Sequence, residues 1–460
     1  MMLNHSTKEA IKAALAIVSA LCLAIWFEWD KPYWAGITTA VLALNETFAH
    51  SLQKGKNRVL GALMGAGYAL FLISCFSQDH FLFVVFYTLL LAASLFMASD
   101  EKRGYIFVQG YTVCTIICCM GGFDSLNTFD YIILRLLETL LGIGVFTFVY
   151  RLIWPVSTES VFSHRYWQLH AELQQAFNYY HHSRLNSETM ERIQCSASQL
   201  HHLLELPNHG SYDLQYYQHQ WLERVREIDV IVHILESLSH KPSDLANYLA
   251  DIERNLESTW KMPPTEPLLP PDLLEMAQRY SNHKPSLRQR SLKQHIGDDW
   301  KKVVQGTSTF LACILAWVYL PVPGGFVFPM IAGIFATNLP PLPTSAIRDA
   351  FFGAVGLGGF YLLQYSLIMP SFTELWQLLA FYFINIVAIW KVFDNVRLGI
   401  FRVLGVNLLL VLSSSALNLT PYYNIEMPLM MLVYVLIILA IAKLVSDLLT
   451  PCETKVAFDK

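Results

Sequence analysis

The stretch YIILRLLETLLGIGVFTFVYRLIWP, residues 131–155, is apolar and long enough to cross a bilayer as one helix, yet it contains Arg135 and Glu138. The two side chains are three residues apart, so they share one face of a helix. A charged side chain is costly inside lipid and faces the interior of a helix bundle, where it finds a partner. The stretch therefore predicts a membrane protein of several helices with polar groups in its interior.

The composition of the whole chain favours the same class. Of its 460 residues, 54% are hydrophobic and only 15% are charged, against about 25% charged in soluble proteins. The net charge of −4 and the scattered basic residues exclude a nucleic-acid groove. The chain has no GxxxxGK[ST], HExxH or GxSxG motif, so we expect neither an ATP-driven pump nor an enzyme, and no cofactor.

We also expect no metal site. The cysteines do not form CxxC pairs. Histidine doublets occur at His181-His182 and His201-His202, but adjacent side chains point about 100° apart on a helix and seldom meet on one ion. These doublets are typical of a solvated surface.

Apolar runs of about membrane length predict twelve spans, six in each half of the chain. We place them at about 10–27, 33–49, 59–76, 81–98, 105–121 and 131–154, and at 302–320, 324–338, 349–369, 374–392, 399–416 and 427–449. The predicted fold is all-α, with two parallel six-span repeats and a central helical domain. The predicted domains are residues 1–155, 156–300 and 301–451, followed by a tail, 452–460.

The basic residues of the short loops predict the orientation, because cytoplasmic loops retain Lys and Arg. Loops after the second, fourth, eighth and tenth spans are rich in them, whereas the opposite set of loops contains Lys31 alone. Both termini and the central segment are therefore expected in the cytoplasm.

The central segment is more polar and reads as amphipathic helices. One helix is predicted by apolar residues spaced three or four apart: Phe162, Tyr166, Leu169, Leu173 and Phe177. Similar stretches run over 188–206, 211–239 and 243–260.

The two halves resemble each other in sequence. A run ending in Asn45 is followed by Arg58 and a glycine-rich start at Gly61, and a run ending in Asn338 is followed by Arg348 and a similar start at Gly353. Six spans per half preserve orientation, which makes the repeat parallel. We expect the glycines to let helices approach closely: Gly61, Gly65, Gly353 and Gly356.

The second and eighth predicted spans are short and interrupted. Spans of this kind in matching positions are the best sequence indication of a transport site. Polar residues lie along both of them: Thr38, Thr39, Asn45, Thr337 and Asn338.

Two interpretations of Arg135 and Glu138 remain open. They form a purely structural ion pair, or Arg135 meets an anionic substrate while Glu138 takes and returns a proton.

The first half resembles the fusaric acid resistance and aromatic acid exporter family. The resemblance rests on a second span led by Trp34, on the Arg58, Gly61 and Gly65 entry to the third span, and on an Arg-x-x-Glu-Thr-x-x-Gly motif, Arg135, Glu138, Thr139 and Gly142. It implies a bacterial inner-membrane exporter of aromatic carboxylic acids or similar toxic anions, driven by protons, sometimes with a periplasmic membrane-fusion partner.

Other classes and partners stay open. Related six-span units occur in anion channels, and the central helices would suit a membrane-bound assembly or regulatory protein. The expected partners are an organic acid and membrane lipids, with a membrane-fusion protein and a second copy of the chain (a homodimer) as candidates.

Overall fold

The computed structural model describes residues 4–44, 48–100, 103–121, 125–154, 158–182, 187–205, 216–238, 292–320, 325–394 and 398–449. Within these ranges the chain is helical and contains no β-strand. The first six helices are α1 His5–Trp26, α2 Tyr33–Ala43, α3 Phe48–Phe76, α4 His80–Met97, α5 Gly104–Met120 and α6 Ser125–Leu152. Three follow, α7 Thr158–His182, α8 Ser187–Glu205 and α9 Gln218–Leu238. The last six are α10 Leu292–Tyr319, α11 Val327–Asn338, α12 Thr344–Leu367, α13 Leu375–Val392, α14 Gly399–Leu412 and α15 Glu426–Leu449.

Each of the twelve predicted spans falls on one of these helices. By length and composition seven are able to cross a membrane, namely α1, α3, α4, α6, α12, α13 and α15, and four apolar helices are shorter, α2, α5, α11 and α14. The chain is therefore a multi-pass α-helical membrane protein.

Several predicted boundaries are wrong. The second span was expected to reach residue 49, but α2 ends at Ala43, and Phe48 already begins α3. The eleventh was expected to reach residue 416, but α14 ends at Leu412 and a short 3-10 helix follows, Ser414–Leu417. The predicted spans ran through the few polar residues at these ends, Asn45, Glu46 and Thr47 in one case and Ser413, Ser414 and Ser415 in the other, because apolar residues resume directly after them.

Local polar side chains explain some of the helix starts. Asp79 caps α4, since its Oδ1 accepts hydrogen bonds from the backbone N–H groups of Phe81 and Leu82 at 3.0 and 3.1 Å. Before α13, Glu374 and Gln377 form a reciprocal capping box. Both devices satisfy backbone donors that have no partner within their own helix.

The chain divides into two compact units. One comprises Met1–Asn45, Lys54–Trp154 and Leu292–Lys460, and the other comprises Glu46–Gln53 and Pro155–Ser291. The first unit contains α1 to α6 and α10 to α15, except for the first residues of α3. The second unit contains those residues and α7 to α9.

Helix contacts in the first unit recur between the two halves. In the first half α1 packs against α2 and α6, and in the second half α10 packs against α11 and α15. Across the halves α1 packs against α13, and α10 packs against α4. Likewise the short helix α2 contacts α14, and the short helix α11 contacts α5. The first helix of each half thus packs against the fourth helix of the other.

The predicted glycine contacts are present at three of four positions. A Cβ on Gly65 would overlap the carbonyl oxygen of Gly110 on α5, and one on Gly61 would lie 2.6 Å from the carbonyl oxygen of Ile106. A Cβ on Gly353 would lie 2.7 Å from the ring of Phe401. Our expectation for Gly356 is wrong, because the space beside it is open.

In the second unit α7 packs against α8, and α8 packs against α9. The predicted core positions Phe162, Tyr166, Leu169 and Leu173 are fully buried, while the side chain of Phe177 and the stretch 243–260 lie outside the described residues. Trp221 of α9 packs edge-on against the rings of Phe162 and Tyr166, with centroids 4.8 and 5.0 Å away. The amphipathic stripe predicted for α7 is thereby confirmed for its described residues.

The close contact of α3 with α5 predicts different effects for two neighbouring glycines. Gly65→Ala should lower the thermal unfolding temperature of the detergent-purified protein, because the methyl group meets backbone atoms and overpacking costs about 1–3 kcal/mol. Gly67→Ala on the same helix is the matched control, since nothing lies within 4 Å of its added Cβ. Equal unfolding temperatures for the two variants would contradict the described contact.

Candidate functional site

The candidate site lies along the seam where α2 packs against α6. The deep end of this seam is closed by a glycine. A Cβ on Gly142 would lie 2.8 Å from the Cβ of Thr38 and 2.9 Å from the carbonyl oxygen of Ala35. The hydroxyl of Thr39 donates to the carbonyl oxygens of Ala35 and Gly142, at 2.9 and 3.2 Å. At this level the two helices touch through their backbones.

Arg135 and Glu138 lie on α6 toward the start of the seam and form an ion pair. Nη1 of Arg135 is 2.9 Å from Oε2 of Glu138, and the two side chains are 5% and 1% exposed. The pairing predicted from their spacing is therefore present. In surroundings this dry, separating the two charges would leave each one uncompensated, at a cost of about 3–5 kcal/mol.

Trp34 of α2 supplies the opposite wall of the site. Cζ of Arg135 lies 4.2 Å from the centroid of the Trp34 ring. A guanidinium over an aromatic face is attracted by the ring quadrupole. Trp34 therefore stabilises the guanidinium from the α2 side by a cation–π contact.

The hydrogen-bond donors of the Arg135 guanidinium are only partly satisfied. Among the described residues, neither Nε nor Nη2 of Arg135 has a hydrogen-bond acceptor. Nη1 of Arg135 lies close to Glu138 but is not oriented to donate a hydrogen bond to it. Both carboxylate oxygens of Glu138 therefore also lack a hydrogen-bond donor among the described residues. A buried polar group without a partner costs about 1–3 kcal/mol, and more if charged. The site thus presents two guanidinium donors in the fork geometry that suits a carboxylate.

Arg58 extends the polar region toward α5. Its Nη1 donates to the hydroxyl of Tyr105 at 2.8 Å, and that hydroxyl is 3.5 Å from Oε1 of Gln109. Arg58 is only 7% exposed. It is close enough to Arg135 for the two positive charges to interact.

The structure places the other predicted residues as follows. Thr139 is buried and its hydroxyl donates to the carbonyl of Arg135 at 2.8 Å, which makes it part of the helix and not a free ligand. Asn338 is exposed at the end of α11 and donates to the carbonyl of Ile334 at 2.7 Å. Arg348 is 62% exposed and lies 3.6 Å from Asp349. Asn45 lies outside the described residues.

Sequence reasoning missed Tyr105, Gln109 and the contact of Lys31 with Tyr131. Lys31 did carry a signal, as the exception in loops otherwise free of basic residues. Tyr105 and Gln109 carried none, since they read as ordinary polar residues of an apolar helix. Across the described residues, no group of three or more His, Cys, Asp or Glu side chains could hold a metal ion.

Comparison with known proteins shows the family to which the chain belongs. The fusaric acid resistance protein family model matches residues 8–297, from the first turn of α1 to the start of α10. The chain belongs to that family. It is also 29% identical over 119 residues to the p-hydroxybenzoic acid efflux pump subunit AaeB of Musicola paradisiaca (strain Ech703), an alignment that covers 24% of this chain and 18% of that protein. No solved structure matches the chain significantly.

The closed end of the seam predicts a requirement for Gly142. Gly142→Val should displace α2 from α6, because its side chain meets Thr38 and the backbone of Ala35, and should lower the unfolding temperature and abolish function. Gly144→Val on the same helix is the control, with nothing within 4 Å of its Cβ. If both variants unfold at the wild-type temperature, the close packing of α2 on α6 is wrong.

Proposed function

We propose that the chain is a secondary transporter that exports aromatic carboxylic acids or similar organic anions across the bacterial inner membrane, linked to proton movement. The single observation that carries this proposal is the buried Arg135, which is stacked on Trp34 and has unsatisfied guanidinium donors. Family membership and the name of the efflux-pump relative support it.

The proposed architecture is two parallel six-helix repeats of twelve spans, with a cytoplasmic domain of α7 to α9 and cytoplasmic termini. The recurring contacts α1·α13 and α10·α4 support a twofold relation between halves. The 11 residues of α2 and the 12 of α11 would extend about 16–18 Å, near half of a bilayer's hydrocarbon thickness. Half-length helices in matching positions are typical of transport sites.

The proposed substrate contact follows from the chemistry of the site. The carboxylate of an aromatic acid accepts the two free N–H groups of Arg135, and its ring packs beside Trp34, whose indole suits flat apolar groups. Arg58 adds positive charge farther along the polar region and favours anions over neutral molecules. A planar anion satisfies the guanidinium donors that the described protein groups leave open.

Glu138 is the proposed proton carrier. When a substrate carboxylate binds Arg135, Glu138 shares its cation with a second anion. A buried carboxylate that loses its cationic partner takes up a proton more readily, and it releases the proton when that partner returns. Substrate binding and proton binding are thereby linked through Arg135.

The proton link is tested with Glu138→Gln in reconstituted vesicles. We expect the variant to insert normally but to show no response of transport to an imposed pH gradient, because the amide does not exchange a proton. Asp130→Asn, an exposed acid on the same helix, is the control and should behave as wild type. Undiminished gradient-driven transport by Glu138→Gln would remove Glu138 from this role.

The substrate class is tested by growth of a deletion strain on a panel of aromatic and aliphatic acids. We expect hypersensitivity to aromatic monocarboxylic acids, with rescue by the wild-type gene and not by an Arg135→Gln variant. Efflux should saturate and collapse with a protonophore. Large unsaturated currents would instead identify an anion channel.

A further inference from the structure

Lys31 reaches the same seam from the loop between α1 and α2. Its Nζ lies 4.7 Å from the centroid of the Tyr131 ring and 3.4 Å from the Tyr131 hydroxyl. Tyr131 is four residues before Arg135 on α6, so the two share one helix face. Lys31 is therefore held against α6 one helical turn before the backbone of Arg135, although it is distant from that residue in sequence.

Each of the two cations, Lys31 and Arg135, lies against an aromatic ring on the opposite side of the seam. On one level, a lysine next to α2 lies on a tyrosine of α6; on the next, an arginine of α6 lies on Trp34 of α2. Lys31 and Trp34 are three residues apart on one side of the seam, and Tyr131 and Arg135 are four residues apart on the other. Along α6, about one helical turn separates the backbones of Tyr131 and Arg135.

The charges around Lys31 connect it to the ion pair. Arg135 and Glu138 of α6 act on it electrostatically, as does Asp30 in its own loop, and Tyr131 is its aromatic partner. Lys31 lies outside the membrane-spanning helices. Burial and, to a lesser extent, the positive charge of Arg135 lower the pKa of Lys31 to about 8, against the opposing effect of the negative charges of Glu138 and Asp30.

From this geometry we infer that Lys31 is a specificity-determining residue, which binds a second anionic group on the far side of an aromatic substrate whose carboxylate is held by Arg135. The inference rests on the proposed function and adds a ligand class to it, aromatic acids with a second negative group opposite the first. A second cation beside the same seam favours a substrate with a second acidic group, whereas a simple benzoate would use Arg135 alone.

The sign of the pH dependence follows from the lowered pKa. Lys31 is charged below about pH 8 and neutral above it, so the extra affinity for a dianion should be present at pH 7 and lost by pH 9. Lys31→Arg should keep that affinity at pH 9, because arginine remains protonated. The matched pair Lys31→Gln and Lys31→Arg therefore separates charge from packing against Tyr131.

The experiment measures equilibrium binding of radiolabelled benzoate to the purified full chain, with unlabelled terephthalate as competitor. At pH 7 we expect Lys31→Gln to weaken terephthalate binding by about tenfold, roughly the effect of one lost charge-assisted hydrogen bond. Benzoate binding should stay within about threefold, and Lys31→Arg should restore terephthalate binding.

The outcomes are distinguishable. If wild type binds neither acid, the proposed function fails and the inference fails with it. If wild type binds benzoate but Lys31→Gln leaves the ratio of the two affinities unchanged at pH 7, the inference alone is overturned. A lower unfolding temperature with an unchanged ratio assigns Lys31 a structural role only.

Discussion

The Arg135–Glu138 ion pair constrains the structure around it more than any other interaction. Both charges lie in the mostly apolar middle of α6, and both side chains are at most 5% exposed. Such a helix is tolerated in lipid only if its charged face is covered by protein. The short helix α2 provides that cover, with Trp34 over the guanidinium and Thr38 against Gly142. The position of α2 is thus set by what α6 must bury.

The shortness of α2 and α11 follows from the same requirement. A helix that ends within a bilayer exposes backbone groups, which are tolerated only where protein or a polar cavity surrounds them. Both short helices are buried among longer ones, α2 between α1, α6 and α14, and α11 between α4, α5, α10 and α15. The long helices therefore make possible a break that a lipid-facing helix would not allow.

Much of this was predictable from sequence, for reasons that are local. Hydrophobic runs located the twelve helices α1 to α6 and α10 to α15, and a spacing of three residues predicted the ion pair, because both features depend on residues close together in the chain. The contact of Arg58 with Tyr105 and that of Arg135 with Trp34 join residues 47 and 101 positions apart. Neither follows from any repeat or spacing. The packing of α1 against α13 is likewise a tertiary choice, since hydropathy gives each span and not its neighbours.

The two halves share packing features but differ in where they bury charge. Each retains a buried hydroxyl pair between its fourth and fifth helices, Tyr87 with Thr115 and Tyr382 with Ser413, both 2.6 Å apart. The ion pair has no such counterpart, since α15 has apolar residues where α6 has Arg135 and Glu138. Helix contacts that recur in both halves are therefore combined with a buried ion pair in one half only. The anion site proposed above accordingly has no counterpart on α15.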